Sequence, residues 1–404
     1  MLSQSTRAAY ARDGVIVVPD VFSPAEIAEL RAVTDGFVAR SGGVAANDVI
    51  YDLEDTHSAA EPRVRRLKTP HLHDPVYFRA SRNEKVVAIL ADLWGSVRFD
   101  TGKLNMKSAG FGAPVEWHQD WAFYPHTNDD LAAVGIMLDD VDMENGPMMV
   151  VPGSHRGPIW DHHGPDGRFC GAMDPARLAQ EGGGLDLSRA LPCLGKAGSV
   201  TVHHVRAVHG SATNFSGRER RFLLYQYRAA DAWPLLGFKD GIEKFDSLLL
   251  AGEPTIEPRL APVPVRLPLP PAEHQGSIYE NQRASARRYF ATAPVTKDRD
   301  GEPCWDAKGT AKVFETGRVN WWGRDPDWVD KLGYRGRQDV ESPGGEWTHI
   351  EAVCDGDGLD YFVNGKRVNQ ATQLSHKSGQ LIFQSEGAEI FFRRIELHPL
   401  PVTK

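Results

Sequence analysis

The chain is poor in cysteine. It has four in 404 residues, Cys170, Cys193, Cys304 and Cys354, scattered and never as C-x-x-C. That fits reduced thiols and argues against a cysteine zinc site. No run of about 18 apolar residues occurs, so no membrane span is expected. There is no long basic block, and the net charge is −8, which argues against a nucleic-acid partner. The N-terminal stretch MLSQSTRAAYARDGVIVV lacks an apolar core followed by a small-residue cleavage site, so a cytoplasmic location is expected. With 41% hydrophobic and 25% charged residues, the chain reads as an ordinary soluble protein of two or three domains. Nothing here sets an oligomeric state.

What is present centres on Trp117 to His155. His118-Gln119-Asp120 puts an imidazole and a carboxylate at i and i+2, the same face of a β-strand, where they can grip one ion together. Val134 to Leu138 is an apolar run of strand length, Asn145-Gly146 reads as a type I′ hairpin turn, and Met148 to Val151 reads as the returning strand. The best third ligand is His209, in His209-Gly210-Ser211-Ala212-Thr213-Asn214, after the strand-like Ser199 to Val202. Two His and one carboxylate on one face leave open positions on a metal, as in non-haem Fe(II) oxygenases. Arg220 opens a further strand, and a guanidinium there can hold the distal carboxylate of a chelating 2-oxo acid as a bidentate pair. Arg218 and Arg221 stand beside it, and the choice among the three depends on register.

The other elements frame this stretch. Val15 to Val18 reads as a buried strand. Ser23-Pro24-Ala25-Glu26 is a capping box opening a helix with Ile27, Leu30, Val33 and Phe37 on its apolar face. Residues 40 to 64 read as a loop near the site entrance. A second helix is expected from Asn83 to Trp94, stopped by Gly95, and both helices are expected to buttress a β-core. Val97 to Lys107 reads as a strand whose Asn105 and Lys107 face either the pocket or solvent. Residues 156 to 190 read as a substrate-covering insert. The Pro-rich stretch 252 to 275 is either a linker or the tail of the first domain draped on its surface. The end of the chain reads as an all-β meander: Ile350 to Cys354, Leu359 to Val363, an Asn364-Gly365 turn, Lys366 to Val368, then Gly379 to Phe383 and Ala388 to Ile395.

Taken as an ordered set, W-H-Q-D, N-G, P-G-S-H and H-G-S-x-x-N with Arg220 eleven residues after His209 resembles the phytanoyl-CoA dioxygenase family. The resemblance covers roughly residues 8 to 285 and implies a mainly β fold with flanking helices, a double-stranded β-helix (jelly roll) core, and an enzyme using Fe(II), 2-oxoglutarate and O₂ on a small-molecule substrate. Carried over, His118, Asp120 and His209 match the iron ligands, which double as the catalytic residues. Arg220 matches the residue that pairs with the distal carboxylate of 2-oxoglutarate, and the family offset selects it over its neighbours. Ser211 matches a cosubstrate hydrogen-bonding position, and Lys68 aligns less firmly with a cosubstrate-binding Lys. Ile136 departs from a Trp that lines the cosubstrate pocket in some members. With Asp120 in place no position is left for halide, so hydroxylation is implied over halogenation.

The last 90 residues or so, with G-E-W, V-N-G-K-x-V and Q-S-E-G-A-E-I-F-F-R-R-I-E-L-H-P-L, resemble the concanavalin-like β-sandwich domain of 3-keto-disaccharide hydrolases. The opening F-N-G-x-x-L-x-x-W stretch of that family is not visible, so the sandwich is either truncated or completed by residues 285 to 320. The expected division is 1–285 for the oxygenase domain and 286–404 for the sandwich. A competing reading is a carbohydrate-binding or sugar-processing protein led by this domain. A glycoside-cleaving enzyme would need a facing carboxylate pair, and no obvious pair is present. His155 is expected in a turn, and His203 and His204 are expected to pack or face solvent. His162 and His163 are expected in solvent.

Overall fold

The sequence pattern resolves, in a computed structural model, into β-sheets flanked by helices. The structure describes residues 2–109, 112–174, 185–214, 216–238, 240–271, 277–285, 289–290, 296–297, 303–304, 318–321, 340–342, 346–372 and 392–400. The chain forms two compact units, Met1–Pro294 and Val295–Lys404.

Local chemistry sets the helices of the first unit. After α1 (Gln4–Asp13) comes α2 (Pro24–Ser41), which opens with Glu26 N–H donating to Ser23 Oγ while Ser23 N–H donates to the Glu26 carboxylate, and buries Ile27, Leu30 and Phe37. The short α3 (Pro75–Ala80) precedes α4 (Glu84–Trp94), which is capped by Asn83 and stopped by Gly95 at φ +77°.

The strands are β1 (Val15–Val18), β2 (Tyr51–Leu53), β3 (Val64–Lys68), β4 (Val97–Lys107), β5 (Val115–His118), β6 (Leu131–Met137), β7 (Met148–Val150), β8 (Leu191–Pro192), β9 (Val200–His204), β10 (His209–Ser211), β11 (Arg220–Arg228) and β12 (Leu249–Ala251). A large antiparallel sheet runs β1-β9-β6-β11-β4-β3-β2, with β12 added to β4. A smaller one runs β5-β10-β7-β8, and together they make the jelly roll. Alternation along β11 separates two environments. Leu223, Tyr225 and Tyr227 join the main core with Phe37, Tyr77, Leu90 and Leu104, while Arg220, Phe222 and Leu224 face a cavity on the other side.

Two expectations are corrected here, and one open alternative is decided. The 40–64 stretch is not all loop, because Tyr51–Leu53 pairs with β3. Asn145-Gly146 is not a hairpin turn: β6 and β7 belong to different sheets, so the connection crosses the roll. Only Gly146 takes positive φ, and Asn145 instead ties its loop, accepting from Asp142 N–H and donating to the Asp140 carbonyl. Residues 252–271 are extended but drape on the first unit. Arg259 pairs with Asp130 and Asp231, and Trp121 Nε1 donates to the Pro264 carbonyl at 2.9 Å.

In the second unit the described residues form β13 (Thr296–Lys297) paired with β14 (Pro303–Cys304), and a sheet of β15 (Arg318–Trp321), β18 (Lys366–Thr372), β17 (Gly358–Val363) and β16 (Ile350–Asp355), in that order. Asn364 and Gly365, at φ +47° and +77°, make the tight β17–β18 hairpin that the N-G pair predicts. The strands expected at 379–383 and 388–391 lie outside the described residues, and 392–395 carries no strand.

Candidate active site

β5 and β10 pair antiparallel with His118 directly opposite His209. The two imidazoles therefore arrive from neighbouring strands on one face, with ring centroids 4.1 Å apart. The strand ends at His118. Gln119 stays extended, and Asp120 opens a 3-10 turn, so the i, i+2 relation survives although Asp120 is not itself in the strand. His118 Nε2 lies 3.7 Å from one Asp120 oxygen and His209 Nε2 lies 4.0 Å from the other. One donor atom from each of the three falls within 4.8 Å of the others, and all three residues are buried.

Hydrogen bonding assigns the tautomers. Nδ1 of His118 meets the Glu116 carbonyl at 2.8 Å, and Nδ1 of His209 meets the Ala207 carbonyl at 2.9 Å. A carbonyl only accepts, so each Nδ1 carries the proton and each Nε2 turns a bare lone pair toward Asp120. Burial holds His118 well below its usual range and His209 at about 4, although Asp120 opposes both shifts. Burial resists charge on Asp120, but Lys103, His203 and the two facing histidines keep its carboxyl well below the usual range. Two neutral imidazole acceptors and one carboxylate turned on a single point are a donor set for a divalent transition ion.

Gln119 holds this turn rigid. It is fully buried, its amide nitrogen donates to the Pro158 and Arg206 carbonyls, its amide oxygen accepts from Trp160 N–H, and its backbone N–H donates to His162 Nε2 at 2.9 Å. His162 is therefore buried, not solvated, because the insert that carries it folds back onto the ligand turn. The signal was available: the middle residue of H-x-D faces opposite the ligands, where a buried amide must find partners.

The cavity beside these ligands is lined by Lys103, Asn105, His203, Ser211, Arg220 and Phe222. Register settles the arginine question. Arg218 pairs with Asp142 and Glu144, and Arg221 with Asp139 and Asp35, while Arg220 points inward. Arg220 Nη2 donates to the Gly146 carbonyl at 2.7 Å, its Nε is buried without a partner, and no carboxylate pairs with it among the described residues. Burial pulls its guanidinium down to about 10. An orphaned buried guanidinium is what a carboxylate-bearing cosubstrate would satisfy.

The remaining expectations divide. Ser211 lines this cavity. Lys68 does not reach the ligand cluster. It lines the adjoining outer cavity and pairs with Asp52 at 2.7 Å. Asn105 faces the cavity, and Lys107 is buried with its ammonium on the Ser211 and Ala212 carbonyls, so neither is solvated. Ile136 sits in the main core, away from the cavity. Arg206 is occupied by Asp129 at 2.7 Å and by the Gly157 carbonyl. His203, expected to pack or face solvent, is buried and lines the cavity, with its Nε2 3.8 Å from Asp120.

Gly135 makes room for this wall. A Cβ there would fall 2.0 Å from Phe222 Cζ, with two more ring atoms within 2.7 Å. Gly135→Ala is expected to push the ring into the cavity, lowering stability by about 1–3 kcal/mol as overpacking does. It should also weaken cosubstrate binding. Denaturant unfolding of Gly135→Ala beside Gly135→Ala/Phe222→Leu checks this, the second change restoring the loss.

Acid should loosen the whole domain. Burial holds His126 at about 3 and His162 at about 4. The unfolded chain takes up these protons near pH 6.5 and the folded one does not, so stability is present above about pH 6.5 and is lost as pH falls toward 4. Each group contributes up to about 1.4 kcal/mol per pH unit across that window. Melting temperatures of the metal-free protein between these values should fall steadily; a flat profile would contradict the neutral assignment.

Comparison with known proteins adds the lineage. The family model described as phytanoyl-CoA dioxygenase (PhyH) matches residues 10–222, and a 3-keto-alpha-glucoside-1,2-lyase-like domain matches 269–398. A probable alpha-ketoglutarate-dependent hypophosphite dioxygenase of Stutzerimonas stutzeri is 38% identical over 283 residues, which is 70% of this chain and 97% of that protein. An L-proline trans-4-hydroxylase of Streptomyces griseoviridis is 31% identical, over 56% of this chain and 86% of its own length. The crystal structure of EctD from S. alaskensis with bound Fe superposes with a TM-score of 0.48 at 25% identity, covering 66% of this chain and 88% of that one. The second family match begins before residues 277–285, which nonetheless pack in the first unit: Ile278 and Tyr279 lie against Val115, and Gln282 accepts from Glu116 N–H. With half of its length matched by the family model and a 38%-identical relative aligned over 70% of it, the chain belongs to the phytanoyl-CoA dioxygenase family of iron(II)- and 2-oxoglutarate-dependent oxygenases.

Proposed function

We propose that the protein hydroxylates a small molecule, with one atom of O₂ entering the product and the other entering succinate as 2-oxoglutarate loses CO₂. The observation that carries this reading is the convergence of His118, Asp120 and His209 on one point beside a buried, unpaired Arg220. In this reading His118, Asp120 and His209 hold Fe(II). Bound there with 2-oxoglutarate, the iron supplies the activation of O₂ that the protein's side chains cannot provide.

The chain's own residues bind, orient and shield. The Glu116 and Ala207 carbonyls fix the proton of each imidazole on Nδ1, so both lone pairs stay available. Gln119 holds the ligand turn. Arg220 takes the distal carboxylate of 2-oxoglutarate, with the Ser211 hydroxyl beside it. The substrate occupies the outer cavity, about 470 Å³, lined by Arg66, Lys103 and Gln226 from the large sheet and by Tyr124. That volume suits a small molecule. Tyr124 accepts from Gln226 Nε2 at 2.6 Å, and burial, with Asp120 near, holds its hydroxyl well above the usual range, so it stays protonated.

The sugar-led alternative is not favoured, since the relatives cited above are oxygenases. We read the sandwich as a separate domain that begins after residue 290. A cytoplasmic location fits the free thiols of Cys170, Cys193 and Cys354. Succinate measured after adding Fe(II), 2-oxoglutarate and O₂ tests the reading. No succinate above the metal-free control, with candidate substrates supplied, would remove it.

A further inference from the structure

The outer cavity carries positive charge that neither the proposed metal nor the proposed cosubstrate uses. Three cations line it: Arg66, Lys68 and Lys103. Lys68 is neutralised by Asp52 at 2.7 Å and also donates to the Asp48 carbonyl. The side chains of Arg66 and Lys103 have no hydrogen bond or ion pair among the described residues, and Arg66 Nε is buried without any partner. Both project from the inner face of the large sheet. Arg66 pairs with Asn105 and Lys68 with Lys103, so Arg66 and Lys103 are diagonal neighbours on adjacent strands, about 7–8 Å apart.

A count of charge sharpens the point. Asp120 and Arg220, a divalent ion and a doubly charged 2-oxoglutarate cancel one another. Arg66 and Lys103 then remain as two positive charges on half-buried side chains in a half-open cavity, which is costly unless something anionic joins them. Asp120 aside, the other side chains around the cavity, Phe123, Tyr124 and Gln226 among them, offer no carboxylate to do so. Asp120, the carboxylate that lines the same space, serves the metal.

We propose that Arg66 and Lys103 are the specificity element of the substrate pocket and that the substrate is a small oxyanion, a carboxylate or a phosphorus oxyacid. Its charged end is clamped between the two side chains, and its reacting atom faces the His118–Asp120–His209 cluster. This rests on the oxygenase reading of the site and gives that reading a substrate class. A guanidinium fork and an ammonium point charge on one sheet face suit a compact group with two or three equivalent oxygens. A neutral or cationic substrate would leave both charges unanswered.

The same chemistry has a second source, the near carboxylate of 2-oxoglutarate itself, and the test separates the two. The full chain is loaded anaerobically with Mn(II). Calorimetric titrations follow with 2-oxoglutarate alone, and with acetate or inorganic phosphite in the presence and absence of saturating 2-oxoglutarate. Wild type is expected to bind acetate or phosphite while 2-oxoglutarate is bound and Arg220 is therefore occupied. Lys103→Met and Arg66→Met should each weaken that binding by about tenfold or more, with the 2-oxoglutarate constant held within about twofold. Lys103→Arg should keep most of it, and melting curves and Mn(II) content confirm that each variant is folded and loaded. If neither anion binds wild type, or if the Met variants weaken 2-oxoglutarate instead, the proposal is overturned. Failure of wild type to bind 2-oxoglutarate would strike the oxygenase reading, and the titrations without cosubstrate still report on the anion site.

Discussion

Arg220→Ala should bind 2-oxoglutarate at least about thirtyfold more weakly than wild type while retaining its metal. The substitution removes one partner of a buried charge pair and strands the cosubstrate's far carboxylate, a loss of about 2–5 kcal/mol at about 1.4 kcal/mol per factor of ten. The geometry leaves no substitute close by, because Arg218 and Arg221 are each held by carboxylates outside the cavity. Arg220→Lys should rescue only in part, since an ammonium lacks the fork. Anaerobic titration of 2-oxoglutarate into the metal-loaded variants gives the answer. An unchanged constant would shift the role toward Lys68 or to Arg66 and Lys103, and would make the orphaned Nε of Arg220 a structural matter.

Asp120→Ala should abolish turnover by removing the ion. Loss of a residue that merely supports a ligand typically costs about 10–100-fold in metal affinity, so loss of the ligand itself should exceed about 100-fold. Asp120 also supplies the negative charge nearest Lys103 and the two facing histidines. Its removal leaves the imidazoles turned on a point they can no longer hold a hard cation at. Metal content after dialysis, with far-UV circular dichroism to confirm the fold, measures this. Retention within about tenfold of wild type would mean that another group completes the site. His203, 3.8 Å from Asp120, would be the first to examine.

Much of the fold was legible because its signals are local. The Ser23–Glu26 capping box, the Asn83 cap and Gly95 stop, the Val97–Lys107 strand and the Asn364-Gly365 turn each depend on residues a few positions apart. The same N-G dipeptide failed at 145–146 because a hairpin also needs its flanking strands to pair. Whether β6 and β7 pair is decided by the other strands of the roll, which draw them into different sheets.

The site shows the same division. The sequence by itself determined the donor set: H-x-D, a later His followed by G-S, and an arginine at a fixed offset name the ion and cosubstrate chemistry, since that chemistry demands those residue types. From the residues alone the choice among three neighbouring arginines stayed open; the resemblance's offset selected Arg220, and the tertiary structure turns it inward because strand register assigns alternate residues to opposite faces. Only it seated Gln119 and His162 behind the ligand turn and put His203 beside Asp120. Only it brought Arg66 and Lys103, 37 positions apart in the chain, onto one face with no direct ion pair among the described residues. A lone Arg or Lys in a strand carries no mark of its partner. What it pairs with, or whether it waits for a ligand, follows from which strands the chain has folded beside it.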